Sequence, residues 1–323
     1  MFYTETKGEL ARIMPDSECC IVSELSAIAR SSGKLNMGND SPGSCRVFEM
    51  SAENAAVARK IVAFVRRVFQ LRPKVRFSRR RGGLPGNKYT VWLPCDTDVL
   101  DCLRYIGVIK QGGDNVSLRD GIPKHLLSRQ CCLRAYLRGV FLVKGYVQNP
   151  EKEYHMEFMA DNRVRAEKIV RIASSFNVVP RIGRRKRGYM AYVKGGDDVV
   201  QLLRVMGAHS AVLTLESVRV IKGVRGDVNR VVNCETANLT KAVNAGLAQV
   251  AAIKQIDGII GLESLPPGLQ EIAGVRLANP GMTLKELGKI LSPQISKSAV
   301  NHRMRRIIRL AQEIDSGVGQ DLG

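Results

Sequence analysis

The sequence predicts an α+β protein in which a duplicated αββαββα domain is followed by an all-helical domain. Three observations carry this. One helix-like block occurs twice, strand and helix signals follow each copy in the same order, and beyond residue 220 only helical periodicities remain.

The duplication is read directly. Residues 19–33 (CCIVSELSAIARSSG) lie over residues 131–145 (CCLRAYLRGVFLVKG) without a gap. Residues 46–62 lie over 154–170, with Glu49/Glu157, Ala52/Ala160, Asn54/Asn162 and Lys60/Lys168 identical, and residues 89–107 lie over 189–207, pairing Asp98 with Asp198 and Leu103-Arg104 with Leu203-Arg204. The spacing between copies shortens only between matched blocks, as loop deletions in a duplicated unit produce. The repeat units are therefore 19–107 and 131–207, within a domain spanning 1–220.

Each unit reads helix, two strands, helix, two strands, helix. In the second copy the first helix stops at Gly145, and 146–148 and 154–159 alternate as strands around an Asn149-Pro150 turn. Ala166, Ile169, Val170 and Ala173 recur at helical spacing after Asp161. A second hairpin (178–183 and 188–193) and a closing helix striped by Val199, Leu202, Leu203 and Met206 complete the unit.

The repeat ends after Glu216. The glycine-containing, charged KGVRGDVNR reads as a linker, followed by one long helix, the two together covering 221–263. Thr236 can cap that helix, and Leu239, Val243, Gly246, Val250 and Ile253 form a stripe read as packing surface, with Asn229, Arg230, Asn233 and Asn238 as alternative DNA contacts. Residues 264–312 read as three helices, with 313–323 a tail. Leu269, Ile272, Ala273 and Leu277 share a face before Asn279-Pro280-Gly281 breaks the chain. Thr283 and Glu286 form a capping box ahead of Leu284, Leu287 and Leu291, and Ser296 caps a last helix whose apolar stripe is Val300, Met304, Ile307, Ile308 and Ala311. A short capped helix, a turn and a basic helix make a helix-turn-helix with its reading helix last. The residues placed to reach base edges are Lys297, Ser298, Asn301, His302 and Arg305; Arg306 and Arg309, further along, reach phosphates.

The chain of 323 residues carries a net charge of +20, and the charge is clumped. Lys74, Arg76, Arg79, Arg80 and Arg81 form one cluster, and Arg181, Arg184, Arg185, Lys186 and Arg187 the other, both at the second hairpin of their unit. Matching positions in a duplicated unit point to phosphate contacts on double-stranded DNA. The first residues show no apolar leader and no run reaches membrane-spanning length, so a cytoplasmic, nucleoid-associated protein is expected, with no membrane partner and no small-molecule substrate. The eight cysteines include no CxxC pair. Cys19-Cys20 and Cys131-Cys132 are read as small buried packing residues, disulfides are not expected, and no metal or cofactor is assigned.

The motif at 25–33 and 137–145 resembles that of the LAGLIDADG homing-endonuclease fold, in which two αββαββα halves pack through their motif helices and the sheets form a saddle over DNA. The resemblance implies a small third motif residue where the helix backbones meet, and the positions hold Ala27 and Gly139. It also implies metal-binding acids just before each final glycine; those positions hold Ser32 and Lys144, and the neighbouring acidic position holds Arg30 and Leu142. A hard cation needs oxygen ligands there, so the expectation is a kept fold without catalytic residues. Together with NRVVNCETANLTKAV and TLKELGKILSPQISKSAVNHRMRRI, the whole chain resembles the WhiA family of bacterial sporulation and cell-division regulators. The resemblance implies a transcription regulator linked to cell division, chromosome segregation and sporulation, with possible regulatory protein partners. The competing reading is an active endonuclease or RNA maturase using Glu49 and Glu157.

Overall fold

The computed structural model describes residues 1–37, 45–79, 87–112, 115–119, 121–186 and 188–318. The chain divides into two compact units, 1–222 and 223–323.

The first unit repeats one arrangement twice. Helix α1 (Phe2–Arg12) precedes α2 (Glu18–Ser32), β1 (Gly33–Met37), β2 (Cys45–Ala52), α3 (Ala55–Phe69), β3 (Lys74–Arg79), β4 (Asn87–Pro94) and α4 (Thr97–Tyr105). A small hairpin, β5 (Ile109–Gly112) and β6 (Asn115–Leu118), leads to the second copy. This runs α5 (Gln130–Lys144), β7 (Gly145–Val147), β8 (Met156–Ala160), α6 (Arg163–Ser174), β9 (Arg181–Arg185), β10 (Gly188–Val193) and α7 (Gly196–Met206). The sheets have equivalent antiparallel orders, β1-β2-β4-β3 and β7-β8-β10-β9. Asn54 and Asn162, identical in the two copies, accept the first-turn N–H groups of Ala56 and Arg165, so each α3-type helix starts at the same cap.

The two copies meet through α2 and α5. A Cβ on Gly139 would sit 2.5 Å from the Glu24 carbonyl oxygen and 2.8 Å from the Ala27 Cβ, so the helices approach to a distance that only glycine opposite alanine permits. Gly33 and Gly145 are needed for space rather than for backbone freedom: a Cβ would fall on the Ala29 carbonyl and Phe48 in one case and on Phe141 in the other. Beside this crossing lies a buried charge cluster. Glu24 binds Lys60 Nζ at 2.5 Å and Arg138 Nη2 at 2.7 Å, while Lys60 also donates to the Leu10 carbonyl at 2.9 Å and Arg138 to that of Met206 at 3.1 Å. Pairing and shared hydrogen bonds offset the cost of burying these charges. Burial nevertheless pulls Lys60 down to about 8.

Helix α8 (His209–Ile260) begins in the first unit, where the Glu9 carboxylate accepts the backbone N–H groups of Ser210 at 2.7 Å and Ala211 at 3.1 Å. KGVRGDVNR is part of this helix and not the linker expected. Its two glycines cost only about 1 kcal/mol each in a helix interior, and uninterrupted helix-compatible residues on both sides outweigh them. The expected packing stripe holds only in part: Gly246 and Ile253 are buried and Val250 is half-buried, whereas Leu239 and Val243 are exposed.

In the second unit α9 (Pro267–Ala278), α10 (Leu284–Ile290) and α11 (Lys297–Val318) pack with Ala252, Ile253 and Ile256 of α8 around Leu269, Ile272, Leu287, Val300, Met304 and Ile307. Helix α11 extends past residue 312, so 313–318 are helical rather than a tail. None of the helices is long and apolar enough to cross a membrane, among the described residues. Cys95 is disulfide-bonded, against the expectation of reduced cysteines; β4 delivers it beside the start of β2, where Val47 pairs with Pro94.

Candidate nucleic-acid interface

The helix-turn-helix is built from local rules. At α10 the Thr283 Oγ1 accepts the Glu286 N–H at 3.4 Å and the Glu286 carboxylate accepts the Thr283 N–H at 2.8 Å, closing the capping box that the sequence indicated. The Thr283 hydrogen bonds to the Glu286 carboxylate hold its pKa below the ordinary value. The chain turns back after Ile290, and the Ile295 N–H donates to the Gly288 carbonyl at 3.0 Å. A Cβ at Gly288 would lie 2.4 Å from the Ile295 carbonyl oxygen, so glycine is required where the turn crosses α10. Ser296 then caps α11 by accepting the Ala299 N–H at 3.2 Å. Buried Arg276 ties α9 to the loop before α10 by donating to the Met282 carbonyl at 2.6 Å.

Helix α11 is two-sided. Val300, Met304, Ile307 and Ala311 are buried, while Lys297, Ser298, His302, Arg305, Arg306 and Arg309 are exposed and Asn301 is half-buried at their margin. Arg303 is different: it donates to the Gly268 carbonyl at 3.2 Å and braces α9. The α11 residues proposed from sequence to meet DNA thus lie on the solvent-facing side of that helix.

The saddle is less simple. Arg79 pairs with Asn87 and Arg184 with Tyr189, on the same side of the pleat as buried Val91 and Ala191. Strand alternation therefore puts them on the side of the sheet that buries Val91 and Ala191, on the edge strands β3 and β9, where both are exposed. The opposite face carries Lys34, Lys74, Arg76 and Lys88 in the first copy and Arg181 and Arg185 in the second, by the pairings Lys34↔Glu49, Glu49↔Trp92, Lys74↔Trp92, Arg76↔Thr90, Ser78↔Lys88 and Tyr192↔Arg181. Lys34 and Lys88 lay outside the arginine clusters, and only the register identifies them. Lys186 follows β9, and Arg80, Arg81 and Arg187 lie outside the described residues.

Of the acids of the competing reading, Glu157 is engaged in ion pairs. Glu157 on β8 binds Arg185 at 2.7 Å and His155 at 3.2 Å, and Glu49 faces Lys34 across β1 and β2. At the motif ends, Ser32 Oγ donates to the Ile28 carbonyl at 2.9 Å and Lys144 Nζ lies 3.3 Å from Asp161 Oδ1. Both line a cleft of about 490 Å³ together with Glu53 and Asp161, an acidic pair at equivalent positions that the sequence reading passed over. Asp161 is neutralised there by Lys144 and by Arg165 at 3.0 Å.

At the opposite ends of the motif helices the two cysteine pairs come together. Cys20 and Cys132 are buried, Cys19 is half-buried and Cys131 exposed, so the expectation of uniformly buried packing residues is corrected. Burial and the neighbouring thiols push Cys20 and Cys132 up, Cys132 to about 12, whereas a hydrogen bond with Cys20 draws Cys131 down.

Comparison with known proteins agrees with this architecture along the whole chain. Residues 18–109 match the WhiA N-terminal LAGLIDADG-like domain, residues 133–225 the WhiA LAGLIDADG-like domain and residues 228–311 the WhiA C-terminal HTH domain. A protein of Desulforamulus reducens called probable cell division protein WhiA is 40% identical over 316 residues, covering 98% of this chain and 97% of its own. The chain belongs to the WhiA family. The protein of the same name from Heliobacterium modesticaldum is 41% identical over 312 residues, 96% of each chain. The crystal structure of full-length DUF199/WhiA from Thermatoga maritima superposes with a TM-score of 0.58 at 25% identity, covering 97% of this chain and 98% of that one. As in that family, the fold is a duplicated LAGLIDADG-like domain joined to a helix-turn-helix, and the latter marks a DNA-binding protein.

Proposed function

We propose that this WhiA-family chain is a sequence-specific double-stranded-DNA-binding regulator that has kept the endonuclease-like fold and lost cleavage. The observation that carries this is α11, a capped helix with one face buried and the other lined by Lys297, Ser298, Asn301, His302 and Arg305. Asn can pair two-fold with adenine and Arg with guanine, so Asn301 and Arg305 read bases while Arg306 and Arg309 hold phosphates. The concave sheet face adds sequence-independent affinity through Lys34, Lys74, Arg76 and Lys88. Loss of cleavage is supported by Ser32 and Lys144 at the motif ends: a lysine ammonium repels a divalent cation where a carboxylate would hold it.

Relatives carry the name probable cell division protein, which supports a regulatory role in cell division; sporulation and chromosome segregation as the wider setting and the nucleoid as the site of action are part of the same proposal and rest on the family resemblance. Incubating the protein with supercoiled plasmid and magnesium tests the non-enzymatic part. Unchanged supercoiled DNA is expected; nicking or linearisation abolished by Glu53→Gln or Asp161→Asn would restore the endonuclease reading.

A further inference from the structure

We propose that Cys19, Cys20, Cys131 and Cys132 form a tetrathiolate site for a single zinc ion, which clamps the two motif helices together at their N-terminal ends. The four Sγ atoms all lie within 4.8 Å of one another, and those of Cys131 and Cys132 are 4.0 Å apart. A tetrahedral zinc site with Zn–S bonds of about 2.3 Å places its sulfurs about 3.8 Å apart, so closing this cluster on one ion takes movements of about 1 Å or less. An iron–sulfur cluster spreads its thiolates over several metal atoms and needs a wider cage. Four thiolates converging without oxygen or imidazole ligands select a soft, thiophilic ion over magnesium or calcium.

The setting suits the charge. Cys19 and Cys20 are the second and third residues of α2, and Cys131 and Cys132 hold the same places in α5. Neither helix has a side-chain cap hydrogen bond at Ser17 or Arg129, which leaves first-turn N–H groups and the positive ends of two helix dipoles beside the sulfurs. Zinc with four thiolates carries two net negative charges, compensated by those helix ends in a chain of net charge +20. Each thiol gives up its proton to solvent as the ion enters, and exposed Cys131 supplies the way in. The site is about 20 Å along the helices from Ser32 and Lys144, twelve or so residues at about 1.5 Å each, so it is separate from the position where the endonuclease fold holds its metals.

The test uses the full-length chain, purified under reducing conditions, with metal content measured by atomic emission and cobalt(II) as the spectroscopic probe. About one zinc per chain is expected, and the reduced, metal-free protein should take up about one cobalt with the visible bands of a tetrahedral ion and thiolate-to-metal charge transfer, displaced by zinc. Cys131→Ser, at an exposed position, should abolish these bands with circular dichroism unchanged; Cys234→Ser, on α8 in the second unit, should leave them intact. X-ray absorption at the zinc edge of the unaltered protein gives a readout that no folding defect can mimic, with four sulfurs at about 2.3 Å expected. The proposal is overturned by the absence of tetrahedral cobalt bands in the reduced wild-type chain, by bands that survive Cys131→Ser, by an oxygen-coordinated zinc edge, or by peptide mapping that finds these cysteines paired as disulfides with no zinc present.

Discussion

Gly139→Ala should destabilise the first unit, although the same change at an open helical glycine stabilises. Two effects compete. Replacing a helix-interior glycine by alanine gains up to about 1 kcal/mol of backbone propensity. At Gly139 the new methyl would lie 2.5 Å from the Glu24 carbonyl oxygen and 2.8 Å from the Ala27 Cβ. The carbonyl is helix backbone and cannot rotate aside, so α2 and α5 must part, and overpacking of this kind costs about 1–3 kcal/mol or more. Separation also stretches the Glu24–Arg138 contacts of 2.7 Å and 2.9 Å that span the same two helices. The overpacking cost exceeds the propensity gain. A net loss of about 1–2 kcal/mol lowers the Tm of a unit this size by about 2–8 °C. Gly223→Ala on α8 is the control: nothing lies within 4 Å of its added Cβ, so stability should hold or rise by up to about 1 kcal/mol. Urea denaturation followed by circular dichroism measures both. A Gly139→Ala protein as stable as wild type would show that the helices do not cross as closely as described.

Further outcomes follow from other contacts. Glu24→Ala should cost about 3–5 kcal/mol in the same denaturation experiment, because it strands the buried Lys60 and Arg138 charges; a cost below about 1 kcal/mol would mean that water reaches the cluster. Lys7 is pulled down to about 8 by burial, from 10.5, so between those pH values the unfolded chain holds the additional proton and this lysine adds stability as pH rises. Denaturation midpoints at pH 8 and pH 10 should therefore rise less in Lys7→Met than in wild type, and equal rises would refute the assignment. Replacing Lys74, Arg76 and Lys88 by alanine should flatten the log–log salt dependence of DNA binding by up to about one unit per lost phosphate contact, and an unchanged slope would mean that the concave face meets something other than DNA.

Much of this was legible in the sequence where local rules dominate. The capping box at Thr283 and Glu286, the Ser296 cap and the Val300, Met304, Ile307 stripe are short-range patterns, and the structure places each as expected. The repeat fixed the α2–α5 crossing because Ala27 and Gly139 occupy the same motif position. What failed needed information from further away. KGVRGDVNR looks like a linker because glycine is penalised locally, yet the helix continues through it. The basic runs around Arg79 and Arg184 do not by themselves say which side of the sheet each residue takes, because a one-residue shift in strand alternation decides it and the register comes from pairing with β4 and β10. The cysteine cluster could have been found: two adjacent pairs at the same place in two helices that must touch imply four thiols in one spot.

The central claim, that α11 reads bases, is tested most directly by the ratio of affinities for specific and random duplex DNA at fixed salt, measured by competition for wild type, Asn301→Ala with Arg305→Ala, and Arg309→Ala. The binding site is first defined by selection from random duplexes. The double replacement should cut the ratio by about 2–6 kcal/mol, at about 1–3 kcal/mol per bidentate contact, with the circular dichroism of the fold unchanged, while Arg309→Ala should weaken both affinities alike and leave the ratio intact. A ratio that survives loss of both Asn301 and Arg305 would contradict the account and move sequence reading to the concave sheet face.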